Sequence, residues 1–298
     1  RAEKNGYSGY QQLFMGDNDC NPAAMKEIIF PIRQDGLKAR AYAGTTYLVS
    51  AATIGGMPYA STGDPWKCMF ARETLIEKFF PNKNDIPKAT VDDVLKNPSK
   101  EQVIAKDSEK GISTADVIAK AKDDRALLYM GVGGCEEGKV RTINPGEAIT
   151  GPLNGASFVK WSNLHADGST QHDQNYSDTD FPVFRLAEIY LTRAEAKYRL
   201  GQDGLDDILK VQDRAHRASK ATSVNEQTLI DEWCREFFME GRRRSDLVRF
   251  GLYTGSKYLW SFKGGAEKGA GVPSYYNIYP IPDNEIKNNP NMTQNPKY

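Results

Sequence analysis

Two groupings of residues have types and spacing that suggest chemistry. The first mixes acids and bases: Glu236, Glu240, Arg243, Asp246 and Arg249 fall within one charged stretch. Paired carboxylates hydrolyse glycosides, but only when they face each other across a cleft. Glu236 and Glu240, like Arg242 and Asp246, are i,i+4 neighbours, which stacks them along a helix as a ladder of charge. The spacing therefore predicts a structural ion-pair network, with Glu240, Arg243 and Asp246 buried and bonded to one another or to nearby backbone. No catalytic residue is assigned. Arg242-Arg243-Arg244 reads the same way, because no aromatic residues interleave with it as a nucleic-acid surface requires.

The second grouping is aromatic. Trp66 follows Gly63, Asp64 and Pro65, outside any regular apolar period, with Arg72 shortly after and Tyr42 and Tyr59 upstream. Trp161 with Asn163 is a second such pair. Sugar rings stack their C–H faces on Trp or Tyr while Asn, Asp and Arg bond the hydroxyls. Trp66, Asp64, Arg72, Tyr42, Tyr59, Trp161 and Asn163 are the seven candidate ligand contacts, with core packing the competing role for each Trp. Trp233 and Trp260 are assigned to packing.

Metal chemistry finds little support. Gly16-Asp17-Asn18-Asp19-Cys20-Asn21 starts like a calcium loop, but Pro22 stands where the turn glycine belongs and Ile28 where the bidentate Glu belongs. His165, His172 and His216 lack ligand spacing, and no C-x-x-C pair occurs. No metal or other cofactor is expected, a structural calcium elsewhere being left open. Cys20, Cys68, Cys135 and Cys234 are an even set that two disulfides would fit, though a chain of this size does not need them. Cys234 falls in a helical apolar stripe, as a buried free thiol does.

These groups need elements to hold them. The 298 residues are 39% hydrophobic, ample for a core. Lys+Arg and Asp+Glu both number 39, so no global basic field draws nucleic acid or anionic lipid. No run reaches the roughly 18 apolar residues of a membrane-spanning helix.

Glu27–Ile32 is a β-prone run, Asp35-Gly36 a turn, Tyr47–Ala52 an apolar run and Arg72–Phe80 a short helix. Residues 82–124, rich in Lys and Asp, read as an exposed insertion. Within them Ser113-Thr114-Ala115-Asp116 is a capping box for a helix. From 125 to 180 short apolar runs such as Phe158–Trp161 alternate with turns such as Asp167-Gly168. The character changes at Phe181-Pro182. Helical periods then predict an antiparallel pair over 183–200 and 203–218, with Tyr190, Ala194, Leu205 and Leu209 facing each other across a glycine turn. Thr228–Asp231 reads as the capping box of a third helix running through Trp233 and Phe237 towards Gly241. Ile278–Pro282 is extended by its prolines. The chain is mostly α, with loop-rich and short β segments.

Several motifs in order carry a resemblance. They are Phe184-Arg185-Leu186-Ala187-Glu188-Ile189-Tyr190-Leu191, Ala194-Glu195-Ala196 with Gly201, Arg214-Ala215, Glu236 and Glu240-Gly241, Arg243, Asp246-Leu247, Arg249 and Gly251. Tyr279-Pro280-Ile281-Pro282, Asn289-Pro290-Asn291 and Gln294-Asn295-Pro296 close the series. The sequence resembles the SusD/RagB family, with Trp233, Gln212, Arg244 and Lys297 as departures.

The resemblance implies a SusD-like fold: tetratricopeptide-like antiparallel helical hairpins packed with an irregular C-terminal subdomain. Residues 1–298 would be the C-terminal region of such a protein, with 181–298 as the helical family core. The implied function is non-catalytic. It is a cell-surface glycan-binding protein that delivers ligand to a SusC-like TonB-dependent transporter in the bacterial outer membrane. No nucleic acid is involved, and the membrane is met only through an N-terminal lipid anchor absent from this chain. A helical-repeat module binding a protein or peptide is the alternative.

Overall fold

A computed structural model describes residues 4–53, 65–66, 68–86, 114–129 and 156–298. Tyr59, Asp64, Cys135 and most of the expected insertion lie outside the described residues. The chain divides into two compact units, Arg1–Met239 and Glu240–Tyr298, so the helical block read from 181 onward is shared between them.

The first unit runs α1 (Pro22–Met25), β1 (Ile28–Ile32), α2 (Thr45–Ala52), β2 (Phe70–Ala71), α3 (Glu73–Phe79), α4 (Thr114–Ala121), β3 (Leu128–Tyr129), β4 (Ala156–Phe158), β5 (Phe181–Arg185), α5 (Leu186–Arg199), α6 (Leu205–Arg214) and α7 (Glu226–Phe237). The strands form two small antiparallel sheets, β1-β5 and β2-β4-β3. Phe181–Arg185, expected in part to be helix, instead pairs with β1, Ile32 opposite Phe181 and Ile28 opposite Arg185. Pro31 sits opposite Pro182, and neither has an N–H to offer; a two-stranded ribbon tolerates this as a central strand would not.

The core gathers Tyr10, Leu13, Phe14, Ile76, Phe79, Val117, Leu127, Leu128, Trp161 and Phe238. Val117 belongs to α4, and Asp123 just beyond it is also buried, so one face of the C-terminal end of the 82–124 stretch is built into the fold while Asp116, Lys120 and Lys122 stay exposed.

Helices α5 and α6 pack on each other across the Leu200–Gly204 turn. Ala187, Leu191 and Ala194 on α5 and Ile208 and Val211 on α6 form the buried stripe. Of the four residues expected to face inward only Ala194 is buried; Tyr190, Leu205 and Leu209 are half-buried at its edge. The helices come close because position 204 has no side chain: a Cβ there would lie 2.6 Å from the Ala194 carbonyl oxygen and 2.8 Å from its Cα. Gly204→Ala should therefore force the helices apart and cost about 1–3 kcal/mol of stability, read by urea unfolding. An unchanged midpoint would mean the turn yields freely. Buried Asp207 joins the pair electrostatically, accepting from Arg193 Nε and Lys197 Nζ of α5, each at 3.0 Å.

The start of α7 differs from the expected capping box. Asn225 is the cap, its side chain accepting the Thr228 amide at 2.8 Å. The helix stops at Phe237, and Met239 and Gly241 both have positive φ. Glu236 and Glu240 are thus not on one helix, so this rung of the expected ladder is missing, although Glu240 is buried as expected.

Glu236 instead belongs to a buried network. Arg125, wholly buried, donates to Asp123 (2.9 Å), Glu232 (2.5 Å) and Glu236 (3.1 Å). Arg185 donates to Glu236 (2.5 Å) and Glu27 (3.0 Å), and Arg214 bonds the same two carboxylates. Arg217 closes on Asp123 at 2.9 Å and Arg235 on Glu232 at 2.6 Å. Gln212 fills the other side of Glu232, donating at 2.7 Å. Buried Lys160 caps this centre, donating to the Glu236 and Phe238 carbonyls at 3.0 and 2.9 Å.

The second unit contains α8 (Arg243–Arg249), α9 (Asp283–Asn288) and short 3-10 turns. Asp246 is buried and paired with Arg242 (3.6 Å) as expected, and with Arg249 (2.9 Å) rather than with Arg243. Arg243 is half-buried and donates to the Tyr258 hydroxyl at 2.7 Å. Arg244 lies over the Tyr279 ring, its guanidinium carbon 3.7 Å from the centroid.

Candidate functional site

The aromatic candidates converge near the N-terminal part of α2. Asp35 starts this region: its Oδ1 accepts the amides of Leu37, Lys38 and Ala39, bending the chain towards Arg40 and Tyr42. Those bonds hold the Asp35 carboxyl below its usual range. Gly44, at φ +67°, then turns the chain into α2, which presents Tyr47. At the other end of α2, the Ser50 carbonyl accepts the Trp66 amide at 2.9 Å, and the Ala51 carbonyl accepts those of Cys68 and Met69. This tie sets the Trp66 ring 5.8 Å from Tyr47 and 6.5 Å from Tyr42, centroid to centroid.

A fourth ring comes from far along the chain. Tyr176 lies 4.8 Å from Tyr42, whose neighbouring phenol pushes the Tyr176 phenol up. Arg40 lies over the Tyr176 ring at 4.7 Å and pairs loosely with Asp173 at 3.9 Å. The Ser177 amide donates to Thr46 Oγ1 at 3.0 Å, which stitches the Tyr176 loop to the start of α2. Tyr42 is 60% and Tyr47 42% exposed, with Trp66 and Tyr176 half-buried. Clustered, partly exposed rings bordered by a guanidinium and a carboxylate suit an apolar face carrying hydroxyls at its edge.

Of the seven residues expected from sequence, Tyr42 and Trp66 come together here. Tyr59 and Asp64 lie outside the described residues, and Arg72 is half-buried directly ahead of α3. Trp161 and Asn163 are corrections. Trp161 is 4% exposed, stacks on Phe181 at 5.4 Å and donates its indole N–H to the Met239 carbonyl. Asn163, wholly buried, donates to the Asp173 and Tyr176 carbonyls and accepts the Asp178 amide. Both are packing residues, and Asn163 shapes the loop that presents Tyr176.

Tyr47, Tyr176 and Arg40 were missed. Tyr47 hid in an apolar run, while Tyr176 did leave a signal, an isolated ring between Asp173-Gln174-Asn175 and Ser177-Asp178. The loop resembling a calcium site is structural: Asp17 accepts the Ala166 amide, and Asn18 bonds backbone of Leu13 and Asp180. Cys234 is buried, Cys20 and Cys68 are exposed, and none of the three forms a disulfide among the described residues.

Against known proteins, the sequence model of the SusD family matches residues 26–298. The chain belongs to the SusD family. It is 52% identical over 296 residues to the starch-binding protein SusD of Bacteroides thetaiotaomicron, covering 98% of this chain and 52% of that protein. The chain thus spans about half the length of this curated relative. A SusD-like protein of Bacteroides fragilis shares the fold at TM-score 0.58 and 17% identity, over 100% of this chain and 59% of that one. Surface glycan-binding protein A of Bacteroides thetaiotaomicron, in complex with laminarihexaose, does so at TM-score 0.52 and 16% identity, over 90% and 52%.

Proposed function

We propose that this SusD-family chain binds glycan, and that Tyr42, Tyr47, Trp66 and Tyr176 stack the sugar while Arg40 and Asp173 bond its hydroxyls. The observation carrying this reading is the partly exposed cluster of four rings drawn from three separate segments. Asp64, Tyr59 and Arg72, near Trp66 in sequence, are proposed as further contacts. The SusD relative named for starch makes an α-glucan the first ligand to test.

The chain does no chemistry in this reading. Glu232 and Glu236 are enclosed by guanidiniums, where they serve stability and reach no substrate. Family membership supports a place on the outer face of the bacterial outer membrane, held by a lipid anchor in the whole protein. It likewise supports hand-over of the glycan to a SusC-like TonB-dependent transporter.

Calorimetry of this chain with maltoheptaose and soluble starch tests the site. Trp66→Ala should weaken binding by about 1–3 kcal/mol, on the scale of aromatic–base stacking. Unaltered affinity would remove Trp66 from the site. Capture of a peptide partner by a chain that binds no glycan would favour the interaction-module alternative.

A further inference from the structure

The loop that presents Tyr176 is closed by His165, whose side chain is only 8% exposed. Its Nε2 lies 3.0 Å from Asp178 Oδ2, and its Nδ1 lies 2.8 Å from Ser169 Oγ. Counting protons fixes which atoms donate. Ser169 has one hydroxyl proton, and its Oγ lies 2.6 Å from Asp167 Oδ1. The hydroxyl and the Ser169 amide, both bonded to this carboxyl, hold it below the usual carboxylate range. Asp167 is therefore ionised and has no proton to give, so the hydroxyl proton must point at it. Ser169 Oγ is left as an acceptor towards His165, and Nδ1 must donate.

The same count holds at the other nitrogen. Burial pushes Asp178 up, but the His165 bond and the His172 amide at 2.9 Å outweigh it and leave the carboxyl below its usual range. Asp178 is a carboxylate, so Nε2 donates as well. Asp178 Oδ1 has no hydrogen-bond partner among the described residues, which leaves Oδ2 to answer the whole buried charge. An imidazole that donates from both nitrogens is an imidazolium.

We propose that His165 is a positioning residue for the aromatic cluster: as an imidazolium it ties the Asp167–Ser169 turn to Asp178 and thereby fixes residues 173–178, which carry Tyr176. This rests on the glycan-binding reading for its functional consequence, but not for its structural one. The charged groups around His165 come from several segments. Asp178, Asp167 and His172 lie on its own loop, the last with Nδ1 3.2 Å from Asp178 Oδ2. Asp17 faces it from the N-terminal segment, and Lys4 acts on Asp167. Gly16 lets the ring lie close, since a Cβ there would sit 2.5 Å from His165 Cδ2.

The Asp178 bond raises the His165 pKa above its ordinary value of 6.5 despite the opposing effect of burial. The clamp is therefore complete below that value and is lost as pH rises through the raised one. Nitrogen-15 NMR of the imidazole between pH 5 and 10 tests the protonation directly. At pH 7 His165 should show two protonated nitrogens, and the Tyr176 ring and Ser177 amide signals should shift with the same midpoint. Maltoheptaose affinity should fall roughly tenfold across that midpoint, the equivalent of one unit of differential pKa. His165→Gln should flatten this pH profile. Ser169→Ala, an exposed change that spares the core, should lower the midpoint and serves if His165→Gln does not fold.

A neutral His165 at pH 7, Tyr176 signals indifferent to its titration, or identical pH profiles in parent and His165→Gln would overturn the proposal. If the parent binds no glycan, the functional reading fails separately, and the NMR midpoints still decide the role of His165.

Discussion

Glu236→Gln should lower the unfolding free energy by about 3–5 kcal/mol, the usual cost of breaking a buried ion pair from one side. Glu236 accepts from Arg125, Arg185 and Arg214, and its own backbone carbonyl accepts from Arg185, Lys160 and Tyr10. Around it, Arg125, Arg185, Arg214, Arg217 and Arg235 face Asp123, Glu27, Glu232 and Glu236. Among the described residues that is five guanidiniums and the buried Lys160 ammonium facing four carboxylates, so the centre leans positive. Arg217 registers the excess: burial and then its neighbour Arg235 push its pKa down despite the Asp123 partner. Neutralising Glu236 leaves one more positive charge uncompensated without creating a cavity, so the loss will be electrostatic. Guanidinium is a poor denaturant here because its salt screens charge, so urea unfolding at low ionic strength is the measurement. A loss under 1 kcal/mol would mean the three arginines find water or other partners. Glycan binding by the folded fraction should be retained, because the network and the aromatic cluster share no residue.

This network shows where the sequence is legible and where it is not. The charged motif near the C-terminus suggested structural ion pairing, and Asp246 between Arg242 and Arg249 fits that reading. The larger network was hidden because its members are scattered from Glu27 to Glu236. Only the fold brings Arg125 beside Glu232, across 107 positions. Local patterns behaved in the opposite way. The hairpin of α5 and α6 was readable from period and turn, yet its facing residues were displaced because Gly204 lets Ala194 approach and moves the contact line. Helix 226–237 was readable too, but Asn225 outcompeted Thr228 for the cap by accepting its amide.

For the candidate site, Tyr42 and Trp66 were legible as rings in polar surroundings. Trp161 looked the same in sequence, and only its stack on Phe181 and its bond to Met239 reveal a core anchor. Tyr47 and Tyr176 join the cluster through the Trp66–Ser50 and Ser177–Thr46 bonds, which no spacing along the chain discloses.

Acid should destabilise this unit steeply once the pH falls through the range in which its buried carboxyls would protonate on unfolding. Burial alone would raise the Glu232 carboxyl, but Arg125 and then Arg235 outweigh it and bring it from 4.5 to about 2. Glu236 goes the same way, burial being overcome by Arg214, Arg185 and Arg125. Asp123 is also held low, by Arg125 and Arg217 against burial. A carboxyl whose pKa is depressed in the folded state contributes stability that is full above its unfolded value and fades as pH falls towards the folded one. The window therefore opens near pH 4.5 and extends down to about 2, with Glu232 alone worth on the order of 3 kcal/mol. The arginines stay charged throughout, so each proton taken up leaves the buried centre more positive. The urea midpoint should hold nearly level from pH 7 to 5 and then fall steeply. Potentiometry across the unfolding transition at pH 3.5 should record uptake of more than one proton per chain. Uptake near zero there would show that these carboxyls titrate alike in both states and that the guanidinium network lends no pH-dependent stability.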